Sequence, residues 1–155
     1  MLARVVFAAV DFAARKGLAA PDDGSLTKKQ RARAAGIRGE TYAYWYLRSK
    51  GYLMVARNYT VPGLKGEIDM AGYDDGVLAF VEVKTRTVLE SGTRQVATAE
   101  EAVNAQKRHN VRRMAQQFLR ARRIESEPYR FDVLAIETRV GSRPEVRLHK
   151  GAYTN

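Results

Sequence analysis

The spacing of apolar residues changes along the chain, and each change marks an element. Near the start, Val5-Val6-Phe7-Ala8-Ala9-Val10 is apolar until Asp11 interrupts it, with Arg15 and Lys16 close behind. Met1 to about Ala20 therefore reads as a short amphipathic helix or a frayed tail. The run falls well short of the roughly 20 apolar residues that span a bilayer. A removed targeting segment is the alternative reading of this stretch, and the expectation is cytoplasmic residence. Pro21-Asp22-Asp23-Gly24-Ser25 breaks the pattern and divides residues 1–26, an N-terminal extension or short helix, from a single domain over 27–155. A helix is expected from Thr27 or Lys28 to Lys50, stopped by Gly51. Ile37, Tyr44 and Leu47 form its apolar stripe, with Glu40 on that inward face. Alternatively, Glu40 sits at the edge of the stripe and pairs with an arginine. Gly36 and Gly39 weaken the helix and point to the close approach of another backbone or a ligand.

Strand patterns follow. Leu53–Tyr59 is one, and after a loop carrying Pro62, Gly63 and Gly66 come two more, joined at Asp74-Asp75-Gly76. Ile68 and Met70 precede that turn, and Val77, Leu78, Phe80, Val81 and Val83 follow it. Asp-Gly between two such runs is a hairpin signal. Thr98-Ala99-Glu100-Glu101 has the form of a capping box, opening a helix to about Ile124 with Val103, Val111, Met114, Phe118 and Ala121 as its stripe. Gln106 and Lys107 follow Val103 by three and four positions, so at least one should face the sheet. Pro128 ends the helical region. Phe131–Ile136 is a strongly apolar strand, and Glu145–His149 a shorter last one. Helix, three strands, helix, two strands describes an α/β domain with a mixed sheet covered by helices.

The hairpin carries the chemistry. With Asp75-Gly76 as a two-residue loop, Asp74 pairs with Val77, and counting outward sets Asp69 opposite Glu82. Opposed residues project to one side of a sheet, and the strand period adds Lys84 to that side. A three-residue loop would slip the register unless a bulge restored it. Two carboxylates on neighbouring strands repel each other. A fold keeps such a pair on a buried face when a cation or a reacting group uses it, and magnesium accepts one or two carboxylates while keeping several waters. The alternative is a solvated face with a weak Glu82–Lys84 ion pair. Against that, Glu82 and Lys84 interrupt the apolar run where a central strand is expected.

Composition narrows the chemistry further. Among 155 residues there is no cysteine, which removes disulfides, thiolate catalysis and thiolate zinc sites. His109 and His149 are the only histidines, which argues against a histidine-built zinc centre or a Ser-His-Asp triad. Lysine and arginine number 27 against 17 acids, a net charge of +10 that favours polyanionic partners, nucleic acid first. Lys28, Lys29, Arg31, Arg33 and Arg38 crowd the first long helix. Arg108, Arg112, Arg113, Arg120, Arg122 and Arg123 crowd the second.

Glu40, Gly66-Glu67-Ile68-Asp69 and Phe80-Val81-Glu82-Val83-Lys84-Thr85-Arg86 together resemble the PD-(D/E)XK nuclease superfamily, and more narrowly its YraN-type family, which is similar to Holliday-junction resolvases. The likeness runs from about Ala34 to Ala152. It includes Arg57-Asn58, Lys107, Phe131-Asp132-Val133 and the strand around His149. It implies a restriction-endonuclease-like sheet in αβββαββ order. It also implies that Asp69, Glu82 and Glu40 hold Mg2+ or Mn2+, that Lys84 is the signature lysine, and that Lys107, Gln106, Arg86 and Arg38 support the centre or contact nucleic acid. Asp132 matches a family feature and is either functional or structural. The function implied is metal-dependent hydrolysis of phosphodiesters in branched or structured DNA. Lys84 would orient or deprotonate the water or stabilise the phosphorane, and a lysine flanked by carboxylates favours that last, electrostatic role. Symmetric cutting of a four-way junction needs two sites, hence a homodimer, and no membrane partner is expected. The alternative is a non-catalytic nucleic-acid-binding protein that keeps the fold.

Overall fold

The computed structural model describes residues 1–17, 25–87, 105–139 and 142–153. In chain order the elements are α1 (Leu2–Gly17), α2 (Lys28–Ser49), β1 (Leu53–Tyr59), β2 (Ile68–Asp74), β3 (Val77–Thr87), α3 (Ala105–Arg122), β4 (Tyr129–Thr138) and β5 (Glu145–Tyr153). The five strands lie side by side in sequence order. All neighbours are antiparallel except β3 and β4, which run parallel across the connection that contains α3. This is the mixed, restriction-endonuclease-like sheet with helices on both faces. The expected capping box at Thr98 and the stripe residue Val103 lie outside the described residues.

Turn chemistry sets the centre of the sheet. Asp75 and Gly76 take φ of 50° and 81°, the paired positive values of a two-residue hairpin loop. The register then runs Asp74↔Val77 to Met70↔Val81, as the Asp-Gly signal predicts. Along β3, Ala79 and Val81 pack on the side of α2, while Leu78 and Phe80 pack on the side of α3. Glu82 and Lys84 continue the α3 side. On β4, Leu134 and Ile136 join the α2 cluster and Phe131 the α3 cluster.

The helices meet the sheet along stripes of spacing i, i+3, i+4, i+7, i+8. In α2 these are Gly39, Tyr42, Ala43, Tyr46 and Leu47. Ile37 is 56% exposed, on the opposite side of the helix, which corrects the expected stripe; the inward face opens with a glycine and carries two tyrosines. Thr27 caps this helix, exchanging hydrogen bonds with Gln30. In α3 the buried stripe is Val111, Met114, Ala115, Phe118 and Leu119, and Ala121 is exposed. α1 is part of the same core. Its Phe7 meets the rings of Tyr42 and Tyr46 edge-on, at 5.3 and 5.6 Å, and its Ala14 is buried. Asp11, also buried, accepts from the Tyr42 hydroxyl at 2.6 Å and from Arg143. Burial opposes the Asp11 charge, yet Tyr42, Arg143 and Arg15 outweigh it and hold the carboxyl below its ordinary range.

Gly39 sets the distance between α2 and the sheet. A Cβ there would lie 1.8 Å from Thr85 Oγ1 and 2.9 Å from Thr85 Cβ. Gly36 has open space around it, so only one of the two glycines is explained by close approach. Gly39→Ala should cost about 1–3 kcal/mol in urea unfolding, the usual range for overpacking. Adding Thr85→Ala should recover part of that loss. Strictly additive effects would contradict a direct clash.

Candidate functional site

The hairpin strands part just beyond the pair Met70↔Val81. Ile68 packs in the same cluster as Ala71, three residues on, while Met70 packs on the opposite face. The alternation of β2 therefore breaks around Asp69. The next β3 donor facing this gap, the Val83 N–H, is taken by Asp69 Oδ2 at 2.7 Å. A side-chain carboxylate thus replaces a strand carbonyl where the ladder opens. Glu82, the residue before Val83, lies on the face that α3 covers. Both acids are buried, at 8% and 4% exposure.

Two ammonium groups meet this pair. Lys84 Nζ is 2.7 Å from Glu82 Oε1, and Lys107 Nζ from α3 contacts the same oxygen. Asp69 Oδ1 and Glu82 Oε2 accept no hydrogen bond among the described residues. Burial, followed by the charge of Glu82, pushes the Asp69 carboxyl up to about 7; the Val83 N–H and Lys107 only partly offset this. Burial pulls the Lys107 ammonium down, but its contact with Glu82 outweighs that and the net shift is upward. Lys107 stays a cation.

Glu40 is half-buried at the edge of the α2 stripe rather than within it, and its Oε2 accepts from Asn58 Nδ2 at 2.8 Å. The partner is a β1 amide, not an arginine. Its charge adds to the upward push on Asp69, so Glu40 borders the acid pair without joining it. Among the described residues no three acidic or imidazole side chains gather as a metal-holding group. Gln106 is exposed and bonds to Asn110 on its own helix. Arg38 is exposed and Arg86 half-buried on β3.

Asp132 points elsewhere. It pairs with Val81 and so lies on the α2 face, fully buried, accepting from Arg130, Tyr52 and Gly151 N–H. Its role is structural. Sequence reading missed Tyr153 at the end of β5. Its ring stacks on Phe131 at 4.9 Å and 9°. Arg108 and Arg112 of α3 stand 5.8 and 5.9 Å from its centroid. Burial and then the charge of Glu82 push its phenol up to about 12, which places it within electrostatic reach of the acid pair. The only sequence signal was an aromatic on the closing strand.

Residues 39–136, which contain Glu40, Asp69, Glu82, Lys84 and Lys107, match the family described as "Uncharacterised protein family UPF0102". The chain belongs to the UPF0102 family. A UPF0102 protein of Koribacter versatilis (strain Ellin345) is 44% identical over 118 residues, 76% of this chain and 78% of that relative. One from Solibacter usitatus (strain Ellin6076) is 38% identical, over 76% and 84% of the two chains. One from Symbiobacterium thermophilum is 39% identical over 122 residues, 79% of this chain and 98% of the relative. The UPF0102 match ends before Tyr153 and begins after α1. No helix among the described residues is long and apolar enough to cross a membrane.

The buried pair predicts a pH-dependent stability. The unfolded chain releases the Asp69 proton near its ordinary 3.8 and the folded chain near 7, so this group's contribution to stability falls as pH rises through that window. Asp69→Asn keeps an acceptor for the Val83 N–H and removes the charge. It should exceed the wild type by about 2 kcal/mol in urea unfolding at pH 8, with the gap closing near pH 4. An equal difference at both pH values would contradict the assignment.

Proposed function

We propose that this protein is a metal-dependent endonuclease that hydrolyses phosphodiester bonds in branched or structured DNA. The observation that carries the reading is the buried Asp69–Glu82 pair, set beside Lys84 where the strands part. Its donor set is hard oxygen, the kind Mg2+ and Mn2+ take. When ionised, the pair holds more negative charge than its burial tolerates, as the upward push on Asp69 indicates. The residues present fit such an ion, with Asp69 and Glu82 as the holding pair and Glu40 as the bordering acid. A bound divalent ion supplies Lewis-acid stabilisation and a source of activated water.

The chain's own groups do the rest. The Val83 N–H fixes the direction of the Asp69 carboxylate, and Asn58 fixes that of Glu40. Lys84, held on the strand beside Glu82, places positive charge where a phosphoryl group carries negative charge in the transition state. Arginines of α2 and α3, together with the net charge of +10, contact the flanking phosphates. Symmetric cutting of a four-way junction brings two copies of the site together, so a homodimer accompanies this reading.

A second reading has an observation in its favour. Two lysines occupy one oxygen of Glu82, and no three metal-type ligands gather among the described residues. A non-catalytic nucleic-acid-binding protein would look the same. Incubation of junction, flap and linear DNA with Mg2+, Mn2+ or a chelator separates the two. The endonuclease reading predicts divalent-dependent cleavage that Asp69→Ala lowers by about 10²–10³-fold. Equal cleavage by both proteins would point to a contaminant and remove the support. Salt-sensitive DNA binding without cleavage would establish the second reading.

A further inference from the structure

Resting on the metal-dependent reading above, we infer that Lys107 is a resident counter-ion of the acid pair, one that a divalent cation must displace from Glu82 and that is thereby released towards the substrate. Lys84 and Lys107 both contact Oε1 of Glu82. Two ammonium groups therefore already face Glu82 where a divalent ion would bind. A divalent ion brought to Glu82 meets both ammonium groups at close range, an arrangement that like-charge repulsion disfavours. One lysine has to withdraw.

The two lysines differ in their freedom to do so. Lys84 sits on β3 two residues from Glu82, in register with Ala135 of β4, and its side chain is 21% exposed. Lys107 reaches in from α3, a separate element, and its side chain is 42% exposed. Of the two side chains, that of Lys107 is the more open to solvent. Lys107 can leave Glu82 by rotating its own side chain, and its four-carbon stem keeps the ammonium within reach of an anion at the same mouth. Arg108 and Arg112 near Tyr153 belong to the same helix, so the released charge joins a wall that is already cationic. The exchange would make capture of the ion and readiness for a phosphate a single event.

Titration calorimetry with Mn2+ alone on wild type, Lys107→Gln and Lys107→Arg tests the exchange without recourse to activity. Removing the competing charge should tighten Mn2+ binding about tenfold in Lys107→Gln, and Lys107→Arg should return it to the wild-type value. In the absence of divalent ions Lys107→Gln should melt below the wild type, and saturating Mn2+ should erase that deficit. Should the wild type bind Mn2+ while Lys107→Gln binds it equally or more weakly, Lys107 is not a competitor; the exchange is then overturned and the metal site stands. Absence of binding in all three folded proteins overturns the metal-dependent reading and the exchange with it.

Discussion

Two buried carboxylates facing each other where a hairpin opens are the constraint on which the site depends. A turn of two residues sets the register as far as Met70↔Val81, and Asp69 and Glu82 come next, where the strands part. Nothing local favours the pairing, since burial and like charge both oppose it. The fold tolerates it through specific contacts: a backbone N–H on Asp69, and two ammonium groups on Glu82 from different elements. The apolar clusters on the two faces of the sheet hold those elements in place, and the contact of Gly39 with Thr85 sets how near α2, and with it Glu40, can come.

Three other acids have partners that serve the fold. Asp11 and Asp74 are held below the ordinary carboxylate range because hydrogen-bonding partners outweigh burial. Asp132 is enclosed by Arg130, Tyr52 and a backbone N–H. These groups join elements: Asp11 ties α1 to α2, and Asp132 and Asp74 tie the hairpin end to β4 and β5. Asp69 is pushed the opposite way. That sign separates Asp11 and Asp74, whose partners serve the fold, from Asp69, and it marks Asp69 as a candidate for a functional site on physical grounds.

Much of this was legible in the sequence wherever the determining physics is local. Asp75-Gly76 dictates the turn, and the turn dictates register as far as Met70↔Val81; beyond it the strands part, so Asp69 meets β3 through the Val83 N–H and not as the counted ladder partner of Glu82. The helix–three strands–helix–two strands order followed from periodicity and breakers. What escaped the sequence was tertiary. The α2 stripe was misassigned because Gly39 and the tyrosines do not read as apolar, and Ile37 drew the stripe to the wrong side. Glu40 found an amide on β1, a partner eighteen residues away that helix spacing cannot reveal. Lys107 faces the sheet as spacing suggested, yet its contact with Glu82 depends on how α3 lies across β3. Tyr153 gave no signal beyond its aromaticity, because only the β4–β5 register brings it near the acids.

The central claim is that Asp69 and Glu82 jointly hold a divalent cation. A crystal soaked in manganese, with data collected at the manganese absorption edge, tests it most directly. The account predicts an anomalous peak bounded by oxygens of Asp69 and Glu82, with Lys107 turned away from Glu82. An acid pair with no peak at saturating manganese, and Lys107 still on Glu82, would contradict it.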